Sequence, residues 1–139
     1  MGGLRFNTKS GKKEEISFDR NPPFHSARFQ TNKKFYQCGG KLVMDGEQEL
    51  TSQFFSIDSE GKSAMLESMK NERECVSLSG LPSQLIAVGG WNQDDLNICE
   101  KYFVSRNKWV RFPPLNTARK WPGSIVLQCE RAFCFCGTG

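Results

Sequence analysis

Leu85-Ile86-Ala87-Val88-Gly89-Gly90 decides how the chain is read, because this apolar run capped by two glycines has counterparts upstream and downstream. They are Phe35-Tyr36-Gln37-Cys38-Gly39-Gly40 and Phe133-Cys134-Phe135-Cys136-Gly137-Thr138. Gly39 and Gly89 stand 50 residues apart, and Gly89 and Gly137 stand 48 apart. A second marker keeps the same step. Pro22-Pro23-Phe24-His25-Ser26-Ala27-Arg28 aligns with Pro113-Pro114-Leu115-Asn116-Thr117-Ala118-Arg119, and Met69-Lys70-Asn71-Glu72-Arg73 lies between. In each, an apolar residue precedes an arginine by four. A period near fifty is the mark of a repeat architecture and sets the frame for every other element.

Within each unit the apolar segments are short, rich in aromatic and β-branched residues, and separated by Gly, Pro, Asn and Asp, which is the pattern of strands. His25 through Thr31 and Lys34 through Cys38 read as a hairpin, as do Ser124 through Leu127 and Ala132 through Cys136. Ile98 through Val104 and Lys108 through Phe112 supply a third and fourth strand. Neither face of these strands is wet: Leu85 and Ala87 oppose Ile86 and Val88, and Phe133 and Phe135 oppose Cys134 and Cys136. Such two-sided apolar strands fit sheets stacked on neighbouring sheets, each buried large side chain contributing about 1.5–3 kcal/mol. Propensity alone would make Ala64 through Lys70 a short helix. The repeat register instead makes Lys62 through Leu66 an outer strand.

These residues resemble the kelch family of β-propellers. The resemblance rests on His25-Ser26-Ala27, the glycine pairs Gly39-Gly40 and Gly89-Gly90, Glu100-Lys101-Tyr102, Trp109, Pro113-Pro114-Leu115 and Arg119. It is strongest over residues 85 to 137; in the preceding unit Phe55 stands near the tyrosine position and nothing replaces the tryptophan. The implied fold is all-β, a partial kelch-type propeller with two complete four-stranded blades and flanking half-blades. Residues 1–23 form the outer half of one blade, 24–73 a degenerate blade, 74–122 a well-formed blade and 123–139 the inner strands of the next. Closed propellers need about four to eight blades. The chain is therefore expected to belong to a longer product, or to pair with a second copy so that complementary halves complete a ring.

Composition narrows the function. The 139 residues carry a net charge of +4, with basic residues in scattered pairs such as Lys12-Lys13 and Lys33-Lys34. A nucleic-acid surface presents a denser basic stripe with stacking aromatics, so none is expected. No apolar run reaches membrane-spanning or signal-peptide length, and Phe6 occupies the position where a myristoylation signal has Ser or Thr. Six cysteines without a secretory signal point to a reducing compartment, cytoplasmic or nuclear, and not to secretion.

Catalysis finds little support. His25 is the single histidine, and no nucleophile elbow, phosphate loop or dinucleotide fingerprint occurs. The copper oxidases of the propeller fold use two histidines and two tyrosines, a set that one histidine cannot furnish. Cys134 and Cys136 share a face at a spacing poor for a disulfide, and Cys38, Val88 and Cys136 occupy one register, which makes the cysteines small buried hydrophobes. No catalytic residue, cofactor or metal ligand is assigned. Motif residues such as Tyr102, Trp109 and Arg119 hold the repeat together.

The resulting expectation is a protein-interaction scaffold that grips a partner through loops at one end of the sheets. Its candidate contacts are Trp91, Asn92, Lys41, Arg73, Arg119 and Lys120. They lie in the loops 41–50 and 91–97 and at the corners between units. Kelch relatives hold partner peptides, often acidic ones, in such loops, and Arg and Lys can supply charge-assisted hydrogen bonds. The alternative is a fragment or subunit of a propeller-fold enzyme, oxidase-like, whose catalytic residues lie outside this chain.

Overall fold

The structure is a computed structural model that describes residues 2–17, 19–127 and 131–135. It is all-β and antiparallel throughout. Strand β1 (Gly2–Phe6) pairs with β2 (Lys13–Ser17) in a two-stranded sheet. A four-stranded sheet follows, in the order β3 (Ala27–Gln30), β4 (Phe35–Cys38), β7 (Phe54–Ile57) and β8 (Ser63–Leu66). Between β4 and β7 projects a hairpin of β5 (Lys41–Met44) and β6 (Glu47–Leu50). The second four-stranded sheet repeats the plan with β9 (Ser77–Leu81), β10 (Gln84–Val88), β13 (Cys99–Phe103) and β14 (Lys108–Phe112). Its insertion is the small ladder of β11 (Trp91–Asn92) and β12 (Asp94–Asp95). Strands β15 (Gly123–Leu127) and β16 (Arg131–Phe135) form the last pair.

The two-sided strands do what their pattern demands. Leu85 and Ala87 join Ala27, Tyr36, Cys38, Phe54, Met69, Tyr102 and Trp109 in a core between the two four-stranded sheets. On the opposite face Ile86, Val88 and Cys99 pack with Phe112, Leu115 and Val126, the last on β15. The second sheet is thus sandwiched. Its anchor is aromatic: the Phe54 ring meets Tyr102 edge-on at 4.6 Å and Trp109 at 5.0 Å, while Tyr36 stacks on it at 5.7 Å. Trp109 Nε1–H donates to the Glu67 carbonyl at 2.8 Å, and the Tyr102 hydroxyl donates to Asn107 Oδ1 at 2.8 Å. The buried polar atoms of both rings are satisfied, as large rings in a dry interface require.

Register wins over helix propensity at residues 63–66, which form β8 paired with β7, because that edge completes the first sheet. Other expectations need correction. The segments after the glycine pairs are not plain loops. Asp45-Gly46, with φ of 50° and 84°, closes β5 and β6 as a two-residue turn of the Asp-Gly kind, which suits left-handed backbone at both positions. The structural match of the units also differs from the aligned arginines. Phe24 bridges Lys41 as Glu74 bridges Trp91, so Pro23, and not Arg28, stands where Arg73 does. Arg28 lies within β3 opposite Gln37. The tyrosine position shifts as well. Cys38 pairs with Phe54 as Val88 pairs with Cys99, which makes Ile57 the counterpart of Tyr102 and Phe55 that of Glu100. Ser63, opposite Ile57, takes the place of Trp109. Finally, Gly123 pairs with Phe135, as Ala27 does with Cys38 and Ser77 with Val88, so Phe135 holds that register. Cys136 lies outside the described residues.

Candidate functional site

One residue per unit sets the geometry of one end of the sheets. His25, Cys75 and Trp121 precede β3, β9 and β15 by the same two positions and share a left-handed backbone, φ 52°, 55° and 53°. Their main chains are linked in series: Cys75 N–H donates to the His25 carbonyl at 3.1 Å, and Trp121 N–H to the Cys75 carbonyl at 2.8 Å. A repeated conformation held by a repeated bond belongs to the architecture, which carries its local cost of about 1–2 kcal/mol per residue. The glycines complete this end. Gly89, at φ +61°, donates to the Ile98 carbonyl, and a Cβ there would sit 2.6 Å from the Arg119 carbonyl oxygen. Only glycine allows that approach.

The side chains gathered here come from residues far apart in sequence. His25 Nδ1 donates to Glu74 Oε2 at 2.6 Å, and Lys41 Nζ reaches Glu74 Oε1 at 2.9 Å. The Lys41 ammonium also lies 5.5 Å from the centre of the Trp91 ring, a cation–π distance, and the Trp121 ring meets His25 edge-on at 5.3 Å. Glu74 is nearly buried, which raises its pKa, but the hydrogen bonds from Lys41 and His25 outweigh this and hold the carboxyl below its usual range. Cys75 is buried beside it. Burial, with the neighbouring Glu74 charge, pushes its thiol up to about 11. A thiol so raised stays protonated near neutral pH and is no nucleophile.

Of the six expected contacts, five are at or near this end with accessible surface. Lys41 and Trp91 face each other; Asn92 Nδ2 donates to the Glu72 carbonyl at 3.1 Å; Lys120 stands beside Trp121 with its ammonium 4.0 Å from Asp95. Trp91 is half-buried, with the Lys41 ammonium against its ring. Arg119 is half-buried, and its backbone bonds Leu96 and Gly90. Arg73 is a correction. Its side chain is fully buried, with Nη1 donating to the carbonyls of Gly89 at 2.9 Å and Ile98 at 2.8 Å, and Nη2 to Glu100 Oε1 at 3.2 Å. Glu100, equally buried, accepts from the backbone of Lys70 and Asn71. Arg73 therefore fastens the second sheet to the preceding connection and offers nothing to a partner.

Beside this end opens a cleft of about 650 Å³, lined by Asn21, Pro22, Pro23, Phe24, His25, Ser26, Arg28, Lys41, Leu42 and Val43. Its lining holds two cations and the imidazole but no carboxylate. Phe24, 64% exposed, and Val43, 51% exposed, give it apolar walls. Sequence reasoning missed both the cleft and the His25–Glu74–Cys75 cluster. One signal was available: His25 and Cys75 each stand fourteen positions before the first glycine of their unit's pair. Among the described residues no helix is long and apolar enough to cross a membrane. No family model matches the chain, and no curated protein matches it.

Proposed function

We propose that the two four-stranded sheets are consecutive blades of a kelch-type β-propeller, and that the end carrying Phe24, Arg28, Lys41 and Trp91 binds an acidic segment of a partner protein. The blade reading is supported by four-stranded antiparallel meanders that follow each other at the period of the glycine pairs and bury their faces against one another. The binding reading rests on one observation above others: an open cleft whose charged lining is all basic, set between exposed apolar side chains on a rigid framework. Arg28 and Lys41 favour carboxylates through charge-assisted hydrogen bonds. Phe24 and Val43 offer apolar area of the kind that anchors a peptide side chain. Trp91 and Trp121 extend the surface with rings that lose little conformational freedom on binding.

Selection of displayed peptides against the intact chain tests this reading. The enriched sequences should combine acidic with apolar residues, and their affinity should fall about tenfold or more in Arg28→Glu and Phe24→Ala while the melting temperature is unchanged. Enrichment without acidic residues, or unaltered binding by both variants, would remove the proposal.

A further inference from the structure

The cluster of His25, Glu74 and Cys75 has a chemistry that peptide docking does not use. It brings together one imidazole nitrogen, one carboxylate oxygen and one thiol sulfur, all within 4.8 Å of each other. Nitrogen, oxygen and sulfur donors in that number match an open zinc site, in which three protein ligands leave a fourth position for water. A tetrahedral ion with bonds of about 2.0–2.3 Å wants its ligands about 3.3–3.8 Å apart, so His25 Nδ1 and Glu74 Oε2, 2.6 Å apart, must separate within a group whose ligand atoms all lie inside 4.8 Å. The structure makes room for that. The His25 side chain is 53% exposed and can turn, whereas Glu74 and Cys75 are held nearly buried by the backbone bonds to Trp91, His25 and Trp121.

The surroundings resemble an outer ligand shell. Lys41 bonds Glu74 Oε1 at 2.9 Å and leaves Oε2, now occupied by His25, as the oxygen facing the cluster. Outer-shell bonds of this sort orient a ligating carboxylate, although the ammonium charge opposes a cation nearby. We propose that His25, Glu74 and Cys75 form a binding site for one zinc ion, with Cys75 binding as thiolate and Lys41 weakening the affinity. On binding, the Cys75 proton and the His25 Nδ1 proton pass to solvent, the His25 ring keeping or taking up its proton on Nε2 so that the neutral imidazole ligates through Nδ1; the His25–Glu74 hydrogen bond is replaced by two bonds to the metal, and no oxidation state changes.

The intact chain, stripped with chelator under reducing conditions, would be titrated with zinc against a chromophoric indicator, and in parallel with cobalt(II). Expected are one zinc per chain lost in His25→Ala and Cys75→Ser, each weakening affinity at least tenfold, the scale on which even outer-shell changes act. Cobalt should give a thiolate charge-transfer absorption that disappears in Cys75→Ser. Lys41→Gln keeps all three ligands and should tighten zinc binding, so the test does not depend on a ligand variant that folds poorly. Zinc binding unchanged in His25→Ala and Cys75→Ser, a cobalt spectrum without sulfur ligation, or unchanged or weaker zinc binding in Lys41→Gln would overturn the assignment. Peptide selection by the metal-free chain is a separate readout, so the two proposals stand or fall independently.

Discussion

Replacing Arg73 by Met keeps much of the side chain's volume and removes its charge, which isolates what the buried guanidinium contributes. Its loss leaves the Gly89 and Ile98 carbonyls short of a donor and the Glu100 carboxylate without the guanidinium that pairs with it, in a place where neither residue has any exposed surface. Removing one partner of a buried ion pair costs about 3–5 kcal/mol, because the charge left behind is neither solvated nor compensated. For a chain of this size that is a fall of about 10–20 °C in melting temperature. Burial lowers the Arg73 pKa while the Glu100 charge raises it again, so the pair depends on each partner remaining. A thermal-melt double-mutant cycle with Glu100→Gln is the assay. The two losses should overlap, with the double variant less damaged than the sum of the singles by about 1–3 kcal/mol. A loss under about 1 kcal/mol in Arg73→Met, or strict additivity, would refute the view that this pair pins the second sheet to the preceding connection.

Further outcomes follow from the same geometry. Trp109→Ala should lower stability by about 3–5 kcal/mol in denaturant melts, since the ring is fully buried against Phe54 and Tyr102. Gly89→Ala should cost more than the roughly 1–2 kcal/mol of left-handed backbone alone, because its Cβ also meets the Arg119 carbonyl. The pKa of Glu74 is lowered in the folded chain, so its ionisation adds stability above about pH 4.5, the ordinary value, and that contribution disappears as pH falls through the depressed value. Glu74→Gln, melted with chelator present, should therefore show a flatter acid limb than the parent chain. Burial pushes the Cys38 thiol up to about 12 and the Cys75 thiol up to about 11; both should resist alkylation near neutral pH until the chain is unfolded, as mass spectrometry of labelled peptides would show.

The strands were legible because short apolar runs rich in aromatic and β-branched residues, punctuated by Gly, Pro, Asn and Asp, leave little choice of local structure. Residues 63–66 show the limit of propensity: Ser63-Ala64-Met65-Leu66 is acceptable to a helix, and only the pairing with β7 makes it a strand. The fine register was harder. Arg28 and Arg119 look equivalent by their local motifs, yet backbone pairing assigns that position to Pro23, since an insertion or deletion between markers is invisible in a period. The double role of arginine was likewise hidden. Arg28 reaches a cleft while Arg73 is sealed between sheets, and nothing local to either distinguishes a solvated guanidinium from one whose donors meet carbonyls 16 and 25 residues away. The His25–Glu74 contact spans 49 residues and is set by the stacking of whole units, so neither residue carries a sign of it.

The two four-stranded sheets stack face to face through the rings of Phe54, Tyr102 and Trp109. Nuclear Overhauser contacts measured on aromatic-labelled protein test this stacking directly. Strong cross-peaks are expected from the Phe54 ring to both Tyr102 and Trp109, whose centres lie 4.6 and 5.0 Å away. A folded chain in which Tyr102 and Trp109 see each other across β13 and β14 but neither sees Phe54 would contradict the stacking, and the binding end built on it.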